Sequence, residues 1–107
     1  TALPFCNESL DFLYSSHLLE DYLEWEPVVR EWLRVLKKGG RLVLLLPDQQ
    51  RYLSHCKATG QPRNEGHRHA NFSLAFVKAL LPGLGATVET EMPSLGPYSF
   101  GIVVRKA

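Results

Sequence analysis

The sequence predicts a single α/β domain built on a mixed sheet, and three observations carry that prediction. An alternating, aromatic-rich segment, Leu10 to Ser16, is followed by a helical repeat, Glu26 to Lys38, and then by an unbroken apolar segment, Arg41 to Pro47. Strand, helix and strand at these lengths imply a parallel pair joined by a right-handed crossover. Two more extended stretches near the carboxyl end, separated by a Pro- and Gly-containing turn, imply a hairpin added to the same sheet. The 107 residues, 45% hydrophobic and 21% charged, are enough chain for one core without disulfide staples and too few for two.

Each element has its own local reason. Leu10, Phe12 and Tyr14 alternate with Asp11, Leu13 and Ser15, the period of a strand. Val28, Val29, Trp32, Leu33, Val35 and Leu36 recur at helical spacing, with Arg30, Glu31, Arg34 and Lys37 on the remaining face. Pro27 suits the first turn of that helix, and Lys37, Lys38, Gly39 and Gly40 read as a cationic end with a glycine stop. Leu42 to Leu46 is apolar without alternation, which suits a strand covered on both faces.

Asp48 to Asn71 lacks sustained periodicity and contains Gly60, Pro62, Asn64 and Gly66, so a long excursion with a short helical turn at its start is expected. Ser73 caps a helix through Leu74, Phe76, Val77, Leu80 and Leu81, stopped by Pro82 and Gly83. Ala86 to Met92 and Tyr98 to Lys106 are the last strands, the second with Tyr98, Phe100, Ile102 and Val104 on one face.

Charge and composition exclude several functions. Twelve basic residues against eleven acidic ones leave no field that would hold a phosphate backbone or an anionic membrane, so neither nucleic acid nor membrane is an expected partner. The balance is uneven along the chain. Glu8, Asp11, Glu20, Asp21, Glu24 and Glu26 all precede the first basic residue, Arg30, whereas Arg51 to His69 holds Arg51, Lys57, Arg63, Arg68, His55, His67 and His69 against Glu65. The second segment suits an anionic group. Cys6 and Cys56 have neither metal nor redox spacing and read as free thiols of a cytoplasmic protein. Thr1 fits either removal of an initiator Met or a cut inside a longer protein.

Several phrases resemble the C-terminal half of the class I S-adenosylmethionine (SAM) dependent methyltransferases, type 11-like. Leu3-Pro4-Phe5 followed by Ser9-Leu10-Asp11-Phe12 is similar to the family's approach to its fourth strand, and Ser15-Ser16-His17-Leu18-Leu19-Glu20 to the segment leaving it. Trp32 to Leu42 resembles the family's helix-to-strand phrase, with Lys38 where Pro is common. Pro47-Asp48 with Arg51, and His67-Arg68-His69-Ala70 with Phe72, resemble one branch in the loop after the fifth strand.

The resemblance implies a partial Rossmann-like fold, residues 1–107 forming one truncated domain whose strands correspond to 4-5-7-6 of the family's sheet. It also implies that the family's glycine-rich SAM-binding turn belongs before the fourth strand, and no such turn precedes Leu3. Gly83-Leu84-Gly85 follows a helix, so it reads as a turn and not as a displaced copy.

By resemblance, Leu3, Ser15, Ser16, His17 and Leu18 form one wall of the SAM crevice, which in such sheets lies at the strand ends where the topology reverses. His17 is the catalytic candidate, as a general base or as the group that orients a nucleophilic acceptor, because imidazole both accepts and donates protons near neutrality. Its plainer reading is a strand-end histidine hydrogen-bonded to backbone, and Asp21 stands where relatives often carry a second histidine. Arg51, Arg63, His67, Arg68 and His69 are candidates for a substrate phosphate or carboxylate, against a plainer reading as a solvated basic loop. Those histidines, with His55 or Cys56, lack the spacing of four convergent ligands, so no metal is expected. Trp25, Trp32 and Phe76 read as core or interface packing.

Two functions are therefore expected. One is half of a SAM-dependent methyltransferase, not catalytic as an isolated monomer and needing a complementing N-terminal half. The other is a non-catalytic oligomeric binding or assembly module derived from one. Leu10 to Ser16 would be an unpaired, apolar sheet edge with no Lys or Pro to blunt it, so a homodimer through that strand is the expected assembly. Tyr22 and Trp25 are further candidates for its interface.

Overall fold

The apolar run Leu42 to Leu46 lies inside a four-stranded mixed sheet and pairs on both sides. The computed structural model describes residues 3–22, 24–63 and 72–107. Its strands are β1 (Leu10–Ser16), β2 (Leu36–Pro47), β3 (Ala86–Leu95) and β4 (Ser99–Lys106), in the spatial order β1-β2-β4-β3. β1 and β2 are parallel, while β4 runs antiparallel to both β2 and β3. This is the mixed sheet the sequence predicts, in the 4-5-7-6 order the resemblance implies.

Three helices accompany the sheet: α1 (Trp25–Val35), α2 (Gln49–Thr59) and α3 (Leu74–Leu80). The buried stripe of α1, Val28, Val29, Trp32 and Leu33, packs with Val77 of α3 and Leu81 just beyond it on one face of the sheet. That face is Leu42, Leu44 and Leu46 of β2 and Phe100, Ile102 and Val104 of β4, all fully buried. Trp25 is a core residue, its ring edge-on to Phe72 at 6.1 Å and tilted to Phe76 at 6.0 Å, which removes it from the candidates for an interface.

Three elements differ from expectation. The helix expected to reach Lys38 stops at Val35, and Leu36 to Gly40 join the strand instead. The amides of Glu8 and Ser9 donate to Arg34 O and Val35 O at 3.0 and 2.9 Å, satisfying carbonyls that a further helical turn would have used. Gly39 then takes a left-handed φ of 77°, and a Cβ on Gly40 would lie 2.8 Å from Lys37 O and 3.0 Å from Asp11 O. The glycines therefore shape a bulge where β2 meets β1 rather than a helix stop.

The second difference is α2. The stretch expected as a long excursion opens with an eleven-residue helix. Asp48 caps it, its carboxylate accepting from the Arg51 amide at 3.1 Å, and Gly60 closes it in a left-handed conformation. Its buried side is only Gln49, Tyr52 and Cys56, too narrow a stripe to show as helical periodicity. The strand expected over Ala86 to Met92 also continues to Leu95, through Pro93.

Candidate site at the strand ends

Where β1 ends, His17 turns out of the strand with a φ of 54°, a left-handed conformation uncommon for a residue with a side chain. Its amide donates to Leu45 O at 2.8 Å, so pairing to β2 continues through the turn and fixes the backbone there. The ring reaches across the sheet end to β4, where Nε2 lies 3.2 Å from Ser99 Oγ, and it stands edge-on to Tyr98 at 6.3 Å.

Tyr98 in turn packs against Tyr52 and His55 of α2, at 5.0 and 5.2 Å between ring centres. The carboxyl end of β1, the β3–β4 turn and α2 thus meet in one patch of two histidines and two tyrosines. Beside it an open cleft of about 380 Å³ is lined by Gln50, Arg51, Ser54, His55 and Pro97.

Ser15, Ser16, His17 and Leu18 follow one another at this end, and the last three are exposed. Ser15 lies across from Leu44, and its Oγ is buried without a hydrogen-bond partner among the described residues. Leu44 belongs to the face covered by α1 and α3, so this hydroxyl lies on the covered side of the strand end.

The backbone of Leu3 is held on α1, the amide donating to Glu31 Oε2 at 2.6 Å and the carbonyl accepting from Arg34 Nη2 at 3.2 Å. Arg34 also forms a fork on Glu31, and hydrogen bonding from Arg34 and then from Leu3 holds the Glu31 carboxyl far below its ordinary range, at about 2.

Arg51 stands at the site with its donors engaged. Nη2 reaches Pro93 O at 2.8 Å and Ser99 O at 3.4 Å, Nη1 reaches Ser94 Oγ at 3.4 Å, and Nε lies 3.8 Å from Asp48. The guanidinium ties α2 to the turn that carries Tyr98 and Ser99, so it positions the patch. Arg63 is exposed beyond the Gly60 cap of α2. His67, Arg68 and His69 lie outside the described residues.

Sequence reasoning did not single out Ser99, which lies 82 positions from His17 and shows no local signal, and weighed Tyr98 only as a strand-face residue. Among the described residues no three His, Cys, Asp or Glu side chains converge as a metal group would require. Among them also, no helix is long and apolar enough to cross a membrane.

Comparisons with known proteins agree with this geometry. The sequence profile of the methyltransferase domain family (Methyltransf_11) matches residues 1–44, which span β1, α1 and most of β2. An uncharacterized protein of Methanocaldococcus jannaschii is 30% identical over 84 residues, 78% of this chain and 41% of that protein. A SAM-dependent methyltransferase from Aquifex aeolicus superposes with a TM-score of 0.72 at 19% identity, over 99% of this chain and 50% of that one.

This chain has a methyltransferase-like fold. It spans about half the length of the relatives it matches. The methyltransferase-like sheet is also found in the [4+2]-cyclase SpnF, with a TM-score of 0.74 at 15% identity over 98% of this chain and 52% of that one. Shared architecture therefore leaves the reaction to be argued from the site.

Proposed function

We propose that this methyltransferase-like domain forms the carboxyl-side half of a SAM-dependent methyl-transfer site and is not catalytic as an isolated monomer. The observation that carries the reading is the exposed strand end Ser16 to Leu18, with the orphan hydroxyl of Ser15 beneath it and the His17–Ser99 pair beside it. In open α/β sheets that end is where ligands sit. The residues present fit one wall of the cofactor: a hydroxyl at Ser16, an imidazole at His17 and an apolar side chain at Leu18, all exposed. SAM, when bound, supplies a methyl group on a positively charged sulfur, open to attack by a nucleophile.

The chain's own residues do the rest. Ser99 and the Leu45 carbonyl hold His17 in one orientation, from which its ring can take or relay the proton of an incoming acceptor. Arg51 and Asp48 fix α2 and the β3–β4 turn, so Tyr98 and His55 close one side of the acceptor's space. Rate enhancement in such a site comes from holding the acceptor in line with the methyl group. The opposite wall is supplied by a complementing α/β half seated against β1.

Calorimetric titration with SAM tests this reading. The chain alone is expected to show no micromolar binding, and addition of a complementing half from a full-length relative is expected to restore it. Micromolar affinity of the monomer for SAM would refute the half-site. A second reading, a non-catalytic oligomeric module, is favoured by the edge position of β1 together with Phe12 at 67% and Tyr14 at 57% exposure. On that reading two copies pair their β1 strands about a twofold axis, and light scattering at high micromolar concentration reads a dimer.

A further inference from the structure

We infer that the opposite end of the sheet carries a separate site for a small molecule bearing a phosphate or diphosphate group. The bulge at the start of β2 sets Lys37 to Gly40 against Asp11 of β1 and brings these residues beside the last residues of β4. A cleft of about 460 Å³ opens there, lined by Lys38, Gly39, Thr87, Arg105 and Lys106, with Ala107 at its rim. Its volume lies in the range of small-ligand sites.

The charges at this end do not balance. Lys37, Lys38, Arg41, Arg105 and Lys106 face two acidic partners: Asp11 takes Lys37 at 3.2 Å and Glu89 takes Arg41 at 2.9 Å. Lys106 donates to Leu36 O at 2.8 Å. Lys38 and Arg105 are left with no ion-pair partner among the described residues, and both are exposed.

Arg41 and Arg105 are also paired directly across β2 and β4, a like-charge register that Glu89 offsets at Arg41 and leaves unopposed at Arg105. A guanidinium fork at Arg105, a point charge at Lys38 and a hydroxyl at Thr87 match the tetrahedral, doubly charged oxygens of phosphate better than a single planar carboxylate. From Arg41 to Pro47 β2 rises roughly 20 Å, so this cleft is distinct from the transfer site at the other end of the strand.

The test is titration of the full chain with sodium diphosphate at low ionic strength, followed by amide NMR. Saturable shifts are expected at Gly39, Thr87, Arg105 and Lys106, with His17 and Ser99 unmoved. Arg105→Gln and Lys38→Gln should each weaken binding about tenfold, the effect of one charge-assisted contact, while Lys57→Gln in α2 should leave it unchanged. Raising salt from about 50 to about 200 mM should weaken it severalfold. All of the altered side chains are exposed, and unchanged circular dichroism melts would show that the variants fold. Absence of saturable shifts in the cleft, equal loss with Lys57→Gln, or binding of an RNA oligonucleotide without binding of diphosphate would each overturn the inference.

Discussion

The two faces of the sheet differ more than their sequences do. On one face Leu42, Leu44, Leu46, Phe100, Ile102 and Val104 lie fully buried under α1 and α3. On the other, Val43, Leu45 and Val103 are only partly buried, and Phe12 and Tyr14 are exposed. Register puts these in common rows, Tyr14 beside Val43 and Val43 beside Val103. Leu42 to Leu46 has the composition of a strand covered twice, and the described chain covers it once. The unmet half of that pattern, not the site chemistry, is the stronger support for the proposal that another protein surface covers β1 and β2.

Truncation separates the two faces most sharply. Phe100→Ala on the covered face should lose about 3–5 kcal/mol of stability in urea denaturation, the usual cost of a large buried cavity. Tyr14→Ser on the open face should change stability by less than about 0.5 kcal/mol, because it vacates no packed volume. Equal losses would mean that both faces are covered in solution.

How much of this contrast was legible in the sequence depends on the range of the interactions involved. Strand periodicity placed β1 and the buried face of β4, and the capping Ser73 placed α3, because those signals are local. The end of α1 was misread because Glu8 and Ser9, remote in sequence, take the carbonyls that a longer helix would need. Most of α2 was missed because Tyr52 and Cys56 are the only apolar residues on its buried side, and Gly60, which closes it, was read as part of a loop. At the candidate site, Ser15 to Leu18 could be grouped from their contiguity. The partners of His17 could not, since Ser99 and Tyr98 reach it only once the antiparallel hairpin has formed, and Arg51 looked like a free cation until its carbonyl partners were seen.

A smaller effect is expected on the covered side, where the segment before β1 lies on α1. Glu31 binds the Leu3 amide and Arg34, and its carboxyl is held down to about 2. A carboxylate whose affinity for protons falls on folding stabilises the fold above its unfolded range, near pH 4.5, and loses that contribution as pH drops toward 2. Protection of the Leu3 amide from exchange, relative to its intrinsic rate at each pH, should therefore fall between those limits in the native chain. Glu31→Gln should show fast exchange already at neutral pH, with the melting of the β2–β4 core little changed. A protection factor at Leu3 that does not change with pH in the native chain would remove the carboxylate from that role.

The smallest change in stability should accompany a large change in assembly. Phe12→Lys with Tyr14→Lys puts two charges on the open face and leaves the helix-covered core untouched, so its folding free energy should shift by less than about 1 kcal/mol. Charge placed on an apolar strand at a sheet edge is also a common natural means of preventing association. If copies of this chain associate through β1, the doubly substituted chain should run as a monomer at concentrations where the native chain is dimeric. Should the pair instead stay dimeric, the contact would have to rest on backbone pairing at the β1 edge, and the apolar open face would be left to a different protein surface. The comparison of faces would then divide further, into an edge that recognises its own copy and a face that does not.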